Sequence, residues 1–254
     1  MAERGLFASR TRAAAAVMAG QVRLGPGHRR AEKPGQLVAH DVKIGVDGPP
    51  PYVSRGGIKL ANALDALGLD PAGRRCLDVG ASTGGFTDCL LQHGAAHVVA
   101  LDVAYGELDW SLRGDGRVTV LERLNARALE RDALPYAPDL VVLDVSFISL
   151  RKVLPAVLAC TAGRFDCLAM VKPQFEAGRD RVSRGGVVRD PAARRGALVA
   201  VARCGLELGA AVCGFVSSEL AGPSGNLETF VWLAEGGRTG ALADVEAAAA
   251  EVEP

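Results

Sequence analysis

The sequence has no apolar run of the roughly 18–20 residues that a membrane-spanning helix requires. Near its start, Arg10 and Arg12 interrupt any segment that could act as the hydrophobic part of a signal peptide. The six cysteines and four histidines show no CxxC or zinc-ligand spacing, so we expect reduced thiols packed as small hydrophobic side chains, and no metal site. These absences argue against a membrane, secreted or metal-centred protein and predict a soluble, cytoplasmic one.

The chain also lacks an excess of charge of either sign, because 29 Lys and Arg residues balance 29 Asp and Glu residues. A net charge of zero by itself disfavours a nucleic-acid-binding protein. The distribution is uneven, since residues 1–59 carry seven Arg and three Lys against four acidic residues. This basic front end indicates a local patch of the kind that binds phosphate backbones.

Residues 1–48 have the pattern of a small α/β module. An Ala-rich helix is predicted over residues 13–19 and is ended by Gly20, whose lack of a side chain suits the position after a helix. Short strands are predicted over residues 21–24 and 42–46, joined by polar turns that contain Gly and Pro.

A stiff, Pro-rich linker over residues 49–53 separates this module from the main domain, residues 54–234. Residues 235–254, rich in Gly, Ala and Glu, are expected to form a loose tail. Within the main domain, seven strands are predicted over residues 75–79, 97–102, 118–122, 140–144, 168–172, 212–216 and 229–233, with helices over 54–67, 85–92, 150–159 and 191–208. Their alternation predicts an α/β fold with a doubly wound, mostly parallel seven-stranded sheet.

A glycine turn directly follows the first of these strands and reads Gly80-Ala-Ser-Thr-Gly-Gly85. Ligands of doubly wound sheets bind at this position, and the helix that follows offers free N–H groups. The turn differs from the dinucleotide fingerprint and has no basic residue, so it suits a ligand with a carboxylate, an ammonium and a ribose, as in S-adenosylmethionine. Asp102, 22 residues after Gly80, is placed to bind a ribose diol. The alternative is that these glycines only form a tight turn and Asp102 only caps a strand.

Charged side chains lie where three apolar strands begin or end. Asp144 and Lys172 each follow a buried strand, Glu228 precedes another, and Lys59 lies on the helix before the first strand. Methyl transfer to a hydroxyl needs proton removal from a weak acid, which a lysine oriented by carboxylates can provide. Taken singly, each charge could equally be a solvated strand end, and this pattern leaves the substrate open.

These residues fall within motifs that resemble those of the TlyA (hemolysin A-like) ribosomal RNA 2′-O-methyltransferases, which have an FtsJ-type catalytic domain. The matching stretches are YVSRGGIKL (52–60), LDVGASTGGFTDCLL (77–91), LERLNAR (121–127), DVSFISL (144–150), VKPQFEAG (171–178), GGVVRDP (185–191) and GPSGNLE (222–228). The resemblance covers roughly residues 4–234 and implies a cytidine-2′-O-methyltransferase of the S-adenosylmethionine-dependent, Rossmann-like class.

The resemblance also assigns roles to residues. A catalytic tetrad would consist of Lys59, Asp144, Lys172 and Glu228, with Lys172 as the general base. The cofactor site would be lined by Gly80, Ser82, Thr83, Gly84, Phe86 and Asp102, with Asn125 near the adenine and Asp144 near the methionine end. The substrate would be ribosomal RNA, free or within ribosomal subunits.

The first module resembles an S4 RNA-binding domain through residues 4–14 and 19–22. S4 domains usually begin with one more helix than this segment, so the resemblance implies a module that is clipped at its start. Its arginines would contact RNA phosphates rather than act as solvated surface charges: Arg4, Arg10, Arg12, Arg23, Arg29 and Arg30.

Three other functions compete with this interpretation. A haemolysin would need a membrane span or an amphipathic repeat, and neither is found. A non-catalytic RNA-binding protein would not need the Lys, Asp, Lys and Glu set, and an NAD-dependent oxidoreductase would need a different glycine spacing. Phe147 and Phe175 are expected to be buried in packing rather than to contact a base.

Overall fold

The computed structural model describes residues 1–18, 21–27, 29–48 and 50–253. Contacts divide the chain into two compact units, Met1–Pro51 and Tyr52–Pro254. This division falls inside the predicted linker. Among the described residues, no helix has the length and hydrophobicity needed to cross a bilayer.

The described residues of the first unit form one helix and a three-stranded antiparallel sheet, β2-β1-β3. Its elements are α1 (Arg10–Met18), β1 (Val22–Leu24), β2 (Arg29–Arg30) and β3 (Ile44–Val46). Ala16, Val17, Val22 and Ala31 form a small buried core. The helix begins three residues earlier than predicted, β2 was not predicted, and the predicted helix end at Gly20 lies outside the described residues.

The second unit is a seven-stranded sheet covered by helices on both faces. Its strands are β4 (Arg75–Val79), β5 (His97–Leu101), β6 (Val118–Leu121), β7 (Leu140–Leu143), β8 (Asp166–Val171), β9 (Ala211–Ser217) and β10 (Thr229–Ala234). Its helices are α2 (Arg55–Leu67), α3 (Gly85–Gln92), α4 (Trp110–Arg113), α5 (Leu154–Leu158), α6 (Pro173–Glu176), α7 (Pro191–Glu207) and α8 (Val245–Val252). The strand order is β6-β5-β4-β7-β8-β10-β9, and β10 runs in the direction opposite to the other six strands. The predicted α/β fold class and mostly parallel sheet are confirmed.

Two hydrophobic cores lie on opposite faces of this sheet, because successive side chains of a strand point to opposite sides. Along β4, for example, Cys76 belongs to the core beneath α2 and α3, while Leu77 and Val79 belong to the core beneath α5 and α7. Burial on both faces explains why the strands read as continuous apolar runs.

The prediction of a loose tail over residues 235–254 is wrong for residues 245–253. Asp244 caps helix α8 by accepting hydrogen bonds from the N–H groups of Glu246 and Ala247. Ala249 is fully buried in the core, and Glu253 is buried in an ion pair with Arg194, 2.7 Å away. The Ala-rich composition suggested disorder, but alanine is a strong helix former, and the helix buries one small face.

Candidate active site

The predicted functional side chains meet at one edge of the sheet, where the parallel strands have their carboxyl ends. Gly80, Asp102, Asp144 and Lys172 each directly follow the last residue of β4, β5, β7 or β8. Glu228 reaches the same edge because β10 is antiparallel: Thr229 pairs with Val171, so the residue before Thr229 lies beside the residue after Val171.

Two cavities open at this edge and share Gly80, Ser82, Asp144 and Ser146 in their walls. The first has a volume of about 370 Å³, and all four predicted tetrad residues line it. The second, of about 560 Å³, extends towards Asp102 and Asn125. Both volumes lie in the rough range of 300–1,000 Å³ that is usual for small-molecule sites.

The amine of Lys172 borders the first cavity and lies between two side-chain oxygen atoms. Its Nζ atom lies 2.5 Å from Oδ1 of Asp144 and donates a hydrogen bond of 2.8 Å to Oγ of Ser146. Both partners come from the segment after β7, so a neighbouring strand end fixes the orientation of the amine. An amine held in this way can take up a proton and have the resulting positive charge stabilised by the carboxylate.

Lys59 and Glu228 form a second ion pair that is more deeply buried. Lys59 is 7% exposed and Glu228 is 2% exposed, and Nζ of Lys59 contacts Oε2 of Glu228. Lys59 lies on α2. The start of this helix is capped by Ser54, whose side-chain oxygen accepts a hydrogen bond from the N–H of Gly56. The pair therefore ties α2 to the sheet at the wall of the first cavity.

Asp102 organises the entrance of the second cavity. Its Oδ2 accepts a hydrogen bond of 2.7 Å from the N–H of Ser82, and its Oδ1 accepts one of 2.8 Å from that of Ala104. The carboxylate therefore fixes both loops, and Asp102 itself borders the cavity. Leu124 and Ile148 provide apolar walls, a combination that suits the ribose and adenine of a nucleoside.

The glycine turn brings backbone, rather than side chains, to the point where the cavities meet. Gly80 has a φ of 86°, and a Cβ atom there would lie 2.6 Å from the carbonyl oxygen of Asp144. Gly84 has a φ of 96° and forms the N-terminal cap of α3, packed against Leu108 and Leu112. The predicted cofactor residues divide between the two cavities. Gly80, Ser82 and Asp144 border both, Asp102 and Asn125 border the second, Thr83 and Phe86 border only the first, and Gly84 shapes the turn from behind.

Asp78 is a fully buried carboxyl group one strand position behind this turn. It accepts a hydrogen bond of 2.7 Å from Oγ1 of Thr87, while its Oδ1 has no partner among the described residues. Burial raises the pKa of Asp78 from 3.8 to about 7. The folded protein therefore retains a proton at Asp78 over a pH range in which the unfolded chain has lost it.

We expect this retained proton to make stability depend on pH. The measured quantity is the free energy of unfolding of the wild type minus that of Asp78→Asn. Because the folded-state pKa is raised, this difference should fall by about 3 kcal/mol as the pH rises from 5 to 8. It should be constant above that range, where Asp78 is ionised in both states. Urea unfolding of both proteins across this range measures the difference, and parallel curves would contradict the assignment.

Phe147 is 92% exposed and has a φ of 63°, a left-handed backbone that is strained for a bulky residue. Its ring packs against the half-buried Phe175, with centroids 5.4 Å apart. The expectation that Phe147 is buried is wrong, because the left-handed turn directs the side chain outward at the mouth of the second cavity.

Among the cavity residues that were not predicted from the sequence, three make polar contacts that shape the site. Ser146 binds Lys172, Glu107 accepts a hydrogen bond of 3.2 Å from Oγ of Ser82, and Arg55 donates one of 3.2 Å to the carbonyl of Ala221. Ser146 could have been found from its position two residues after Asp144. Glu107 lies in a loop with no distinctive spacing. Arg55 falls within the matching stretch 52–60, but its contact with Ala221 joins distant parts of the chain and has no signal in the sequence.

Three of the six arginines of the first unit are held by partners within that unit. Arg4 donates to the carbonyl of Val42, Arg10 pairs with Glu3, and Arg23 pairs with Asp47, at 2.7, 2.8 and 2.7 Å respectively. The other three, Arg12, Arg29 and Arg30, are exposed. No ion pair of these three is found within the described part of the chain.

Comparison with known proteins agrees with this geometry. The family model of FtsJ-like methyltransferases matches residues 52–235. The 16S/23S rRNA (cytidine-2′-O)-methyltransferase TlyA of Mycobacterium tuberculosis is 52% identical over 235 residues, which cover 92% of this chain and 87% of the relative. A solved Streptococcus thermophilus structure, described as a hemolysin, is 36% identical with a TM-score of 0.77 and covers 97% of this chain and 91% of its own.

A more distant S-adenosylmethionine-dependent methyltransferase structure from Listeria monocytogenes shares the fold alone. It is 14% identical with a TM-score of 0.50, covering 69% of this chain and 99% of its own. The family resemblance seen in the sequence is confirmed by the close relative and by the match over the second unit. The chain belongs to the TlyA group of the FtsJ-like methyltransferase family.

Proposed function

We propose that this chain transfers a methyl group from S-adenosylmethionine to the ribose 2′-oxygen of cytidine in ribosomal RNA. The observation that carries the proposal is the position of Lys172. Its amine lies in the first cavity, held by Asp144 and Ser146, which also border the second cavity. The name of the Mycobacterium tuberculosis relative supports cytidine and ribosomal RNA as the substrate.

The second cavity fits S-adenosylmethionine in size and in chemistry. The carboxylate of Asp102 would bind the ribose diol, and the apolar wall near Asn125 would contact the adenine. The Gly80 turn, where a Cβ atom would meet the Asp144 carbonyl, leaves room for the methionine part to approach the backbone. Asp144 would face its cationic end. When bound, the cofactor supplies a sulfonium methyl group that a nucleophile can attack.

The residues of the first cavity would handle the proton of the substrate. Lys172 in its unprotonated form would accept the proton of the 2′-hydroxyl as the ribose oxygen attacks the methyl carbon in line, and Asp144 would stabilise the ammonium that forms. The amine returns to its unprotonated form by releasing that proton to solvent before the next turnover. The buried Lys59–Glu228 pair fixes the wall on which the ribose rests. These groups change the protonation of the nucleophile without forming a covalent bond to it.

The first unit would act as an S4-like RNA-binding domain. Its exposed Arg12, Arg29 and Arg30 are available for phosphate contacts, which position RNA with little reading of sequence. Arg4, Arg10 and Arg23 would exchange their present partners for phosphates or stabilise the unit itself. A ribosomal RNA substrate is consistent with the predicted location in the cytoplasm.

Phe147 would stack on a base that is drawn out of the folded RNA. Base stacking on an aromatic side chain contributes about 1–3 kcal/mol, so Phe147→Ala should lower kcat/KM for RNA, measured at saturating cofactor, about 10-fold or more. Because the side chain is exposed and strained, its loss should not lower stability. Steady-state kinetics and thermal unfolding test both points.

Phe147→Trp is the matched variant, since it keeps an aromatic face and should retain most of the activity. If Phe147→Ala and Phe147→Trp both methylate RNA as the wild type does, the stacking role is refuted. If Phe147→Ala instead loses stability along with activity, the ring has a packing role.

Transfer of a tritiated methyl group to unmodified ribosomal RNA tests the proposal as a whole. Naked ribosomal RNA and isolated small and large subunits are each offered, with ribosomes from cells already carrying the modification as the blank. We expect label in at least one unmodified substrate and none in the blank. Cofactor binding without transfer to any of them would favour a non-catalytic RNA-binding protein, and lack of cofactor binding would overturn the proposal.

A further inference from the structure

The short turn after Lys172 contacts the loop after Asp144 at three separate places. We call these segments turn 172–176 and loop 144–151. Lys172 binds Asp144 and Ser146 at the start of the loop, and the rings of Phe175 and Phe147 pack at its middle. The third contact is made by Glu176, which belongs to neither cavity wall.

Glu176 is buried, with 8% of its surface exposed, and both of its carboxylate oxygens accept hydrogen bonds. Oε1 accepts a hydrogen bond of 2.6 Å from the N–H of Leu150, and Oε2 accepts one of 2.6 Å from Oγ of Ser149. Nε of Arg151 lies 3.4 Å from Oε2 and completes the set. All three donors belong to the end of loop 144–151, and Ser149 also caps the short 3₁₀ helix that follows it.

A carboxylate in this position is costly unless its partners stay in place. Burial raises the pKa of Glu176, and its hydrogen bonds with Ser149, Leu150 and Arg151 oppose that rise. In the same loop, the left-handed backbone of Phe147 is a strained conformation of the kind that persists only where the surroundings over-determine it. The contacts of Lys172 before Phe147 and of Glu176 after it provide that constraint.

We infer that Glu176 is a positioning residue that fixes loop 144–151, so that Asp144 and Ser146 meet Lys172 and Phe147 is directed outward. The inference rests on the proposed function, since it concerns the geometry of the proposed base and its RNA contact. Glu176 does not touch the reacting atoms, so its effect is transmitted through the loop.

Glu176→Gln tests this role because it keeps the size of the side chain. If the amide oxygen accepts from the N–H of Leu150, the amide nitrogen faces Nε of Arg151, donor against donor, and the hydroxyl of Ser149 must turn from donor to acceptor. If the amide is flipped, its nitrogen faces the N–H of Leu150, which is also a donor. A small displacement of positioned groups costs up to about 100-fold in rate, so we expect kcat at saturating cofactor and RNA to fall at least about 10-fold.

Glu235→Gln is the matched control at the opposite edge of the sheet. Glu235 likewise accepts a hydrogen bond from a backbone N–H, that of Phe165, and pairs with Arg238. The Glu235→Gln variant should lower the free energy of unfolding without changing kcat more than about twofold.

A double-mutant cycle with Phe147→Ala separates positioning from general destabilisation. If Glu176 holds the loop, the loss caused by Phe147→Ala should be much smaller in the Glu176→Gln background than in the wild type, because the ring is already misplaced. In the Glu235→Gln background the loss should be unchanged. Full multiplicativity of the Glu176 and Phe147 effects, or an unchanged kcat in Glu176→Gln, would overturn the inference.

Amide hydrogen exchange provides a readout that does not depend on activity. In Glu176→Gln, the amides of loop 144–151 should exchange faster than in wild type, with that of Leu150 most affected, while those of β4 are unchanged. Unchanged exchange in the loop contradicts the inference. A wild-type protein that transfers no methyl group contradicts the proposed function, and the exchange measurement then decides the role of Glu176 separately.

Discussion

Replacing Lys172 with alanine is expected to lower kcat by about a thousandfold or more while the dissociation constant of S-adenosylmethionine stays within about twofold. Lys172 borders only the first cavity, where its amine contacts Asp144 and Ser146. The cofactor would occupy the second cavity, so its binding does not depend on this side chain. Isothermal titration with the cofactor and single-turnover methylation of RNA measure the two quantities.

Two variants control this experiment. Lys172→Arg keeps a positive charge but cannot act as a base, so it should be nearly as inactive as Lys172→Ala. Substantial activity in Lys172→Arg would mean that the amine acts through its charge. Asp102→Ala should show the opposite pattern, with weaker cofactor binding and nearly normal kcat at saturation, because Asp102 borders only the second cavity. A joint loss of cofactor binding and turnover in Lys172→Ala would give Lys172 a structural role.

Breaking the buried pair between Lys59 and Glu228 is expected to have the largest effect on stability. Each single variant, Lys59→Met or Glu228→Gln, leaves a buried group without its partner and should lower the free energy of unfolding by about 3–5 kcal/mol. The double variant removes both charges and should recover a large part of that loss. Activity should not recover, since the cavity wall has lost both charged groups.

Urea unfolding of the single and double variants gives the coupling energy. The exposed pair between Arg203 and Glu246, with side chains 61% and 56% exposed, is the matched control. Its disruption by Arg203→Met should cost less than about 1 kcal/mol. Additive losses at Lys59 and Glu228 would show that the two side chains do not act as a pair.

Much of the second unit could be predicted from the sequence because its signals are local. A strand buried on both faces is a continuous apolar run, and the residue that follows it lies at the sheet edge. Asp102, Asp144 and Lys172 were therefore identified from their positions after such runs, and all three border the cavities.

The features that were not predicted depend on contacts between distant parts of the chain. The contact of Glu176 with Leu150 joins residues 26 positions apart, and nothing around either residue in the sequence indicates it. The exposure of Phe147 depends on one left-handed residue in a loop. The tail helix was missed because Ala-rich composition fits both disorder and a helix, and only the burial of Ala249 distinguishes them.

The most direct test of the central claim is alkaline hydrolysis of ribosomal RNA that this protein has labelled with a tritiated methyl group. A methylated 2′-oxygen cannot attack the adjacent phosphodiester, so the modified nucleotide survives hydrolysis within a dinucleotide. We predict that the label is recovered in alkali-stable dinucleotides whose first nucleoside is 2′-O-methylcytidine. Label in mononucleotides would place the methyl group on a base and contradict the account of the site given by Lys172 and Asp144.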